Sequence, residues 1–140
     1  MAVTAFHHIT VRVQNPEATR DFFTSLGFAS TDIPVPSEMA RTWRGSPASG
    51  VLIAIPVGST YLVIAPPLDG APPNDRFDEH RTGVDHLAFA VESVANLEQL
   101  LSRLQELKIP TAGIEKDEVL GHMYVCFRDS DNIQWEFYAG

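Results

Sequence analysis

Two segments of this chain read as copies of one another: His8-Ile9-Thr10-Val11-Arg12-Val13 and His86-Leu87-Ala88-Phe89-Ala90-Val91, offset by 78 residues. Each opens on a histidine and continues with apolar residues at the odd positions, the period-two signature of a strand with one buried face. In both, a helical pattern follows after a short polar break. The chain therefore reads as two related β-α-β modules. Pairing them would bring together two strand-borne imidazoles, and Glu136 in the last strand is a third candidate ligand.

In the first module the strand covers roughly Phe6 to Val13, with Ile9, Val11 and Val13 on one face and His8, Thr10 and Arg12 on the other. Asn15-Pro16 starts a helix, because Asn caps the free amides and Pro suits the first helical position. Phe22, Phe23 and Leu26 supply its apolar stripe, and Gly27 ends it. Shorter strands are expected near Arg41 to Arg44, Val51 to Ile55 and Thr60 to Ala65. Pro66 to Asp75 holds four of the ten prolines and opens the linker.

The second module repeats the plan. Its strand, Asp85 to Val91, turns Leu87, Phe89 and Val91 to a helix and His86, Ala88 and Ala90 away from it. Val94, Leu97, Leu100, Leu101, Leu104 and Leu107 recur at helical spacing as far as about Lys108, before Pro110. A hairpin closes the chain, with Met123 to Arg128 and Ile133 to Tyr138 joined by Asp129-Ser130-Asp131-Asn132. Trp135 and Phe137 are its apolar pair. Gln134, Glu136 and Tyr138 then share the other face with Tyr124 and Cys126, and the small Ala88 and Ala90 leave room beside His86 for a cavity.

A length of 140 residues suits a single domain, with module one at about 1–66, a linker at about 66–83 and module two at 84–140. No stretch is apolar enough for a membrane span and no signal peptide is apparent, so a cytoplasmic protein is expected. The single Cys126 agrees with a reducing compartment. A net charge of -8 without a Lys/Arg cluster excludes nucleic acid and anionic membrane as partners, since little could replace phosphate counterions.

Three fragments, "HHITVRV" with "FFTSLGF", "GVDHLAFAV" and "FRDSDNIQWEFY", occur in an order and spacing that resemble the vicinal oxygen chelate superfamily. That superfamily includes glyoxalase I, extradiol dioxygenases, fosfomycin-modifying thiol transferases and bleomycin-resistance proteins. The resemblance implies an α+β fold of two βαβββ modules forming a cupped, partly open mixed-sheet barrel with helices outside. It also implies one divalent metal ion (Fe2+, Mn2+, Zn2+, Ni2+ or Co2+), held by His8, His86 and Glu136, and a homodimer. The family's usual Pro and Gly in the final turn are Ser130 and Asn132 here; Asn tolerates the left-handed conformation, so the turn should survive. Where glyoxalase I enzymes carry a fourth ligand, alignment of Leu62-Val63-Ile64 with Trp135-Glu136-Phe137 puts Val63, a hydrocarbon.

Two histidines and one carboxylate leave coordination positions open for substrate or dioxygen. Dioxygenase-like and isomerase- or lyase-like reactions on a small metal-chelating oxygenated molecule fit this set equally, and standard lactoylglutathione lyase activity does not. Each of the three residues would otherwise be an ordinary polar group on a wet sheet face. Tyr124 and His122 are the catalytic candidates, and Arg12, Thr10 and Tyr124 the substrate-binding ones. Arg12 alternatively pairs with Glu136 or another acid. His7 has the opposite parity and should face the helix layer or a subunit interface, His80 is a surface residue, and Cys126 is a cavity-wall residue. Arg76 to Arg81 reads as a solvated turn of helix or as a cover for the cavity mouth. The rival functions are a metal-free drug-binding resistance protein and a thiol transferase, the latter weakened because Arg12, Arg41 and Arg44 are the only basic residues in view for an anionic substrate.

Overall fold

A computed structural model describes residues 2–36, 45 and 50–140. The expected strand at Arg41 to Arg44 lies outside the described residues. The chain divides into two compact units, Met1–Asp75 and Arg76–Gly140.

In the first unit, β1 (His8–Arg12) leads to α1 (Pro16–Ser25), and β2 (Thr31–Pro34), β3 (Val51–Val57) and β4 (Thr60–Ala65) follow. The Asn15 side chain accepts the Ala18 amide at 3.0 Å, and Pro16 begins the helix, as the sequence requires. The sheet order is β1-β4-β3-β2, with β1 parallel to β4 and the other pairs antiparallel. Phe23, Leu26, Ile53, Ile55, Leu62 and Ile64 are buried in the chain. Each such side chain contributes about 1.5–3 kcal/mol by leaving water.

The second unit has the same plan: β5 (His86–Val91), α2 (Val94–Glu106), β6 (Thr111–Lys116), β7 (Met123–Arg128) and β8 (Gln134–Ala139), in the order β5-β8-β7-β6. Its core gathers Phe89, Leu97, Leu104, Val125, Phe127, Trp135 and Phe137. The rings of Phe89 and Trp135 stack at 5.8 Å. Both sheets are open, four-stranded and mixed, and neither closes into a barrel by itself. Among the described residues no helix is long and apolar enough to cross a membrane.

Two details of this unit set the polar face of its sheet. Asn132 takes a left-handed φ of 65°, as the turn demands, while Asp129 organises the loop by accepting the amides of Asp131 and Ile133 at 2.9 Å each and the Trp135 indole N–H at 2.8 Å. In β6 the register slips between Thr111 and Ile114, where Gly113 has φ 92°. This bulge shifts strand parity by one residue and brings Glu115, in place of Ile114, opposite Tyr124.

The segment from Arg76 to Arg81 forms no helix, which corrects the first of the two expectations for it. Its polar groups have partners that compete with helical bonding. The Asp78 carboxylate accepts the His80 amide at 3.0 Å, the Phe77 amide donates to the Asp131 carbonyl at 2.9 Å, and Asn132 Nδ2 donates to the Phe77 carbonyl at 2.9 Å. The segment is thus fastened along the β7–β8 turn.

Candidate metal centre

Strand pairing places the polar residues of the second unit in rows. His86 is registered with Gln134 and Ala88 with Glu136 across β5 and β8, while Tyr124, Cys126 and Arg128 on β7 face Tyr138, Glu136 and Gln134 on β8. His86 lies one step diagonally from Glu136, and Ala88 between them is too small to intrude. The imidazole reaches across, with His86 Nε2 at 3.5 Å from Glu136 Oε2. Glu136 is only 6% exposed and, with Asp131, one of two buried acids among the described residues.

The tautomer of His86 follows from its other nitrogen. Nδ1 lies 2.6 Å from Asp85 Oδ1, and an ionised carboxylate only accepts, so the Nδ1 position carries the proton. In the neutral ring Nε2 is then a lone pair aimed at a carboxylate oxygen. Two acceptors facing each other call for a proton or a cation between them. A gap of 3.5 Å suits two ligand atoms that each lie about 2.1 Å from one ion at a near-tetrahedral angle. The pair therefore fits a divalent metal, and the Asp85–His86 contact is the orienting bond commonly found behind metal-bound histidines.

Glu136 is held on its other oxygen. Oε1 accepts Gln134 Nε2 at 2.9 Å, and Gln134 Oε1 accepts Arg128 Nη2 at 3.1 Å. Arg128 also donates to the Asn132 carbonyl at 2.9 Å and pairs with Glu79 from the fastened segment. This contact holds the Glu79 carboxyl below its usual range. Its counterpart in sequence reasoning is the suggestion that the segment covers a cavity mouth; what the structure shows is an ion pair at one end of the polar face.

At the other end, Tyr124 and Tyr138 stack with ring centres 5.4 Å apart. Tyr124 donates to Glu115 Oε2 at 3.1 Å, and Tyr138 donates to Asp117. The acceptor carboxylates make ionisation of both phenols harder: Tyr124 is raised, and Tyr138 is pushed up to about 12. Asp117 is lowered, first by the Tyr138 hydroxyl and then by the Leu120 and Val119 amides. The His122 ring meets Tyr138 edge to face at 6.1 Å. Cys126, opposite Glu136 in the register, has its thiol raised by burial, which makes it a poor nucleophile.

In the first unit His8 opens β1 and is exposed. Its Nδ1 lies 2.9 Å from His7 Nδ1, so one ring donates and the other accepts. When His8 donates, its Nε2 is a lone pair free to ligate. His7 precedes the strand, so strand parity does not govern it, and its ring meets His8 edge to face. Thr10 is exposed on β1, and Arg12 Nη1 donates to the Pro66 carbonyl at 2.7 Å. The matching registers His8↔Tyr61 and His86↔Gln134 make Val63 in β4 the positional equivalent of Glu136 in β8.

The structure thus brings His86 and Glu136 together, while among the described residues no three His, Cys, Asp or Glu side chains form a group ready to hold a metal. The sequence pattern assigned no role to Asp85, Arg128, Glu115 or Asp117, placed Gln134 on the polar face without a partner, and treated Glu79 only as part of the 76–81 run. Parity alone places Gln134 on the face and could have placed Arg128 there too. Glu115 could not be placed so, because the bulge at Gly113 inverts its parity.

Known proteins agree with this architecture. An uncharacterised protein of Bacillus subtilis (strain 168), YwkD, is 27% identical over 139 residues, covering 99% of this chain and 98% of that protein. The crystal structure of a glyoxylase/bleomycin resistance protein/dioxygenase domain from Frankia sp. EAN1pec superposes with a TM-score of 0.77 at 24% identity, covering 99% of each chain. A lactoylglutathione lyase from Agrobacterium tumefaciens has the same fold, with a TM-score of 0.68 at 18% identity over 100% of this chain and 96% of its own. With a family model matched over residues 5–137, the chain belongs to the Glyoxalase/Bleomycin resistance protein/Dioxygenase superfamily.

Proposed function

We propose that the protein is a divalent-metal-dependent enzyme acting on a small molecule that chelates the metal through neighbouring oxygens, by a dioxygenase-like or an isomerase- or lyase-like reaction. His8, His86 and Glu136 are the proposed ligands, completed within one chain or between the two chains of a cytoplasmic homodimer. The observation that carries this reading is the approach of His86 Nε2 to the buried Glu136 Oε2 at 3.5 Å, with Asp85 holding the other ring nitrogen. The metal would supply Lewis acidity, stabilising negative charge that develops on a substrate oxygen. Fe2+, Mn2+, Zn2+, Ni2+ and Co2+ all accept this donor set.

The chain's own groups divide the remaining work. Arg12, Thr10 and Tyr124 are the proposed substrate contacts. Tyr124, whose proton is bound toward Glu115, and His122 are the proposed acid/base residues. Val63 in the place equivalent to Glu136 argues against standard lactoylglutathione lyase activity, which in this fold is expected to use a fourth ligand.

One observation favours a second reading, a metal-free binder of a cationic drug-like molecule. The stacked Tyr124 and Tyr138 and the neighbouring Glu115, Asp117 and Glu136 offer π faces and negative charge to a cationic ring. The deciding experiment incubates chelator-stripped protein, alone and with each of the five metals, with catechols and with the methylglyoxal-glutathione hemithioacetal. Metal-restored turnover of a chelating substrate, with little on the hemithioacetal, is expected. Absence of metal-dependent turnover or metal uptake, together with tight binding of cationic aromatics, would replace the enzyme reading with the binder.

A further inference from the structure

Resting on the metal reading of Glu136 above, we infer that Gln134 is a positioning residue: clamped between Arg128 and Glu136, it occupies one carboxylate oxygen and leaves the other as a single, directed ligand.

The orientation of the Gln134 amide is dictated by its neighbours. Arg128 can only donate and an ionised Glu136 can only accept. An amide between them has one favourable orientation, with Oε1 toward the guanidinium at 3.1 Å and Nε2 toward Glu136 Oε1 at 2.9 Å. A flipped amide would set NH2 against guanidinium and carbonyl against carboxylate. Arg128 is itself held, by the Asn132 carbonyl at 2.9 Å and by Glu79. Glu136 is 6% exposed, so little water competes for Oε1. What remains available is Oε2, on the side of His86 Nε2 at 3.5 Å. Glu79, Arg128 and Gln134 therefore form a chain of alternating acceptors and donors that runs from the fastened 76–81 segment to the ligand and fixes a one-oxygen binding mode.

The test is a titration of the chelator-stripped full chain with Co2+, read in the visible d–d absorption. Gln134→Leu keeps the bulk but removes both hydrogen bonds; it is expected to weaken Co2+ binding on the order of ten- to a hundredfold, the usual effect of losing a partner behind a ligand. Its d–d spectrum should also change, because a released carboxylate rotates or binds through both oxygens. Arg128→Met, which frees the amide to flip, should move affinity and spectrum in the same direction by less. Far-UV circular dichroism and metal-free melting show whether each variant folds. If Gln134→Leu does not, Arg128→Met and Glu79→Gln carry the test, with the Gln134 side-chain amide resonances of the wild type as a metal-free readout of the clamp. Wild-type affinity and spectrum in the folded variants would overturn the positioning role alone. A wild-type chain that takes up no Co2+ would overturn the metal reading and this role with it.

Discussion

Asp129 is the residue whose loss should most disturb the candidate site without touching it. Its carboxylate accepts the amides of Asp131 and Ile133 and the indole N–H of fully buried Trp135. Asp129→Ala strands the indole donor, at about 1–3 kcal/mol, and removes two bonds to a charged acceptor whose donors regain only part of their solvation. Against this, burial raises the Asp129 pKa, and the indole and amide hydrogen bonds only partly offset it. A folded value above the unfolded one means that the folded state binds the proton more tightly, so this group's contribution to stability falls as pH rises through that interval. At neutral pH desolvation thus outweighs these bonds for the charged carboxylate, and the net loss is set by the stranded indole donor, about 1–3 kcal/mol, or roughly 3–10 °C in Tm for a chain of this size. Asp129→Asn should lose nearly as much, because its NH2 would face the indole N–H. Urea denaturation followed by far-UV circular dichroism measures the loss. A change below about 1 kcal/mol in Asp129→Ala would show that the turn does not depend on this carboxylate, against the range expected for buried hydrogen bonds.

Three further outcomes are expected. Val63→Glu places a carboxylate at the position equivalent to Glu136 and should tighten metal binding by at least about tenfold, or about 1.4 kcal/mol, while lowering the melting temperature of the metal-free protein; calorimetric titration checks the first and scanning calorimetry the second. Tyr138, raised from 10.0 to about 12 by its bond to Asp117, holds its proton more tightly when folded, so the pairing stabilises the fold fully below pH 10 and is lost as pH rises from 10 to about 12. Absorbance titration of the phenolate should show Tyr138 ionising late, and earlier in Asp117→Asn. The chain should be a homodimer, and a monodisperse monomer at micromolar concentration by light scattering would refute this.

What the sequence made legible was what depends on local pattern. Thr60–Ala65 and Met123–Arg128 were expected at their observed bounds because period-two alternation and flanking turn residues agree, and α1 started where Asn15 and Pro16 require. β2 escaped because Thr31–Pro34 is short, contains Asp and Pro, and has no buried residue to give it a period. β6 escaped because the bulge at Gly113 breaks its alternation. The same division runs through the site. Parity alone put His86 and Glu136 on one face, whereas the clamp of Arg128 and Gln134 depends on side-chain conformations, and the Glu79 contact on how a segment without periodicity is fastened.

The central claim, that His8, His86 and Glu136 hold one divalent ion, is tested most directly by metal content. Protein purified without chelators and then titrated with metal, wild type beside His8→Ala, His86→Ala and Glu136→Ala, should bind one ion per chain tightly in the wild type and lose tight binding in each folded variant. A wild type that binds no metal, or a His8→Ala or Glu136→Ala variant that binds it as tightly as the wild type, would contradict the account.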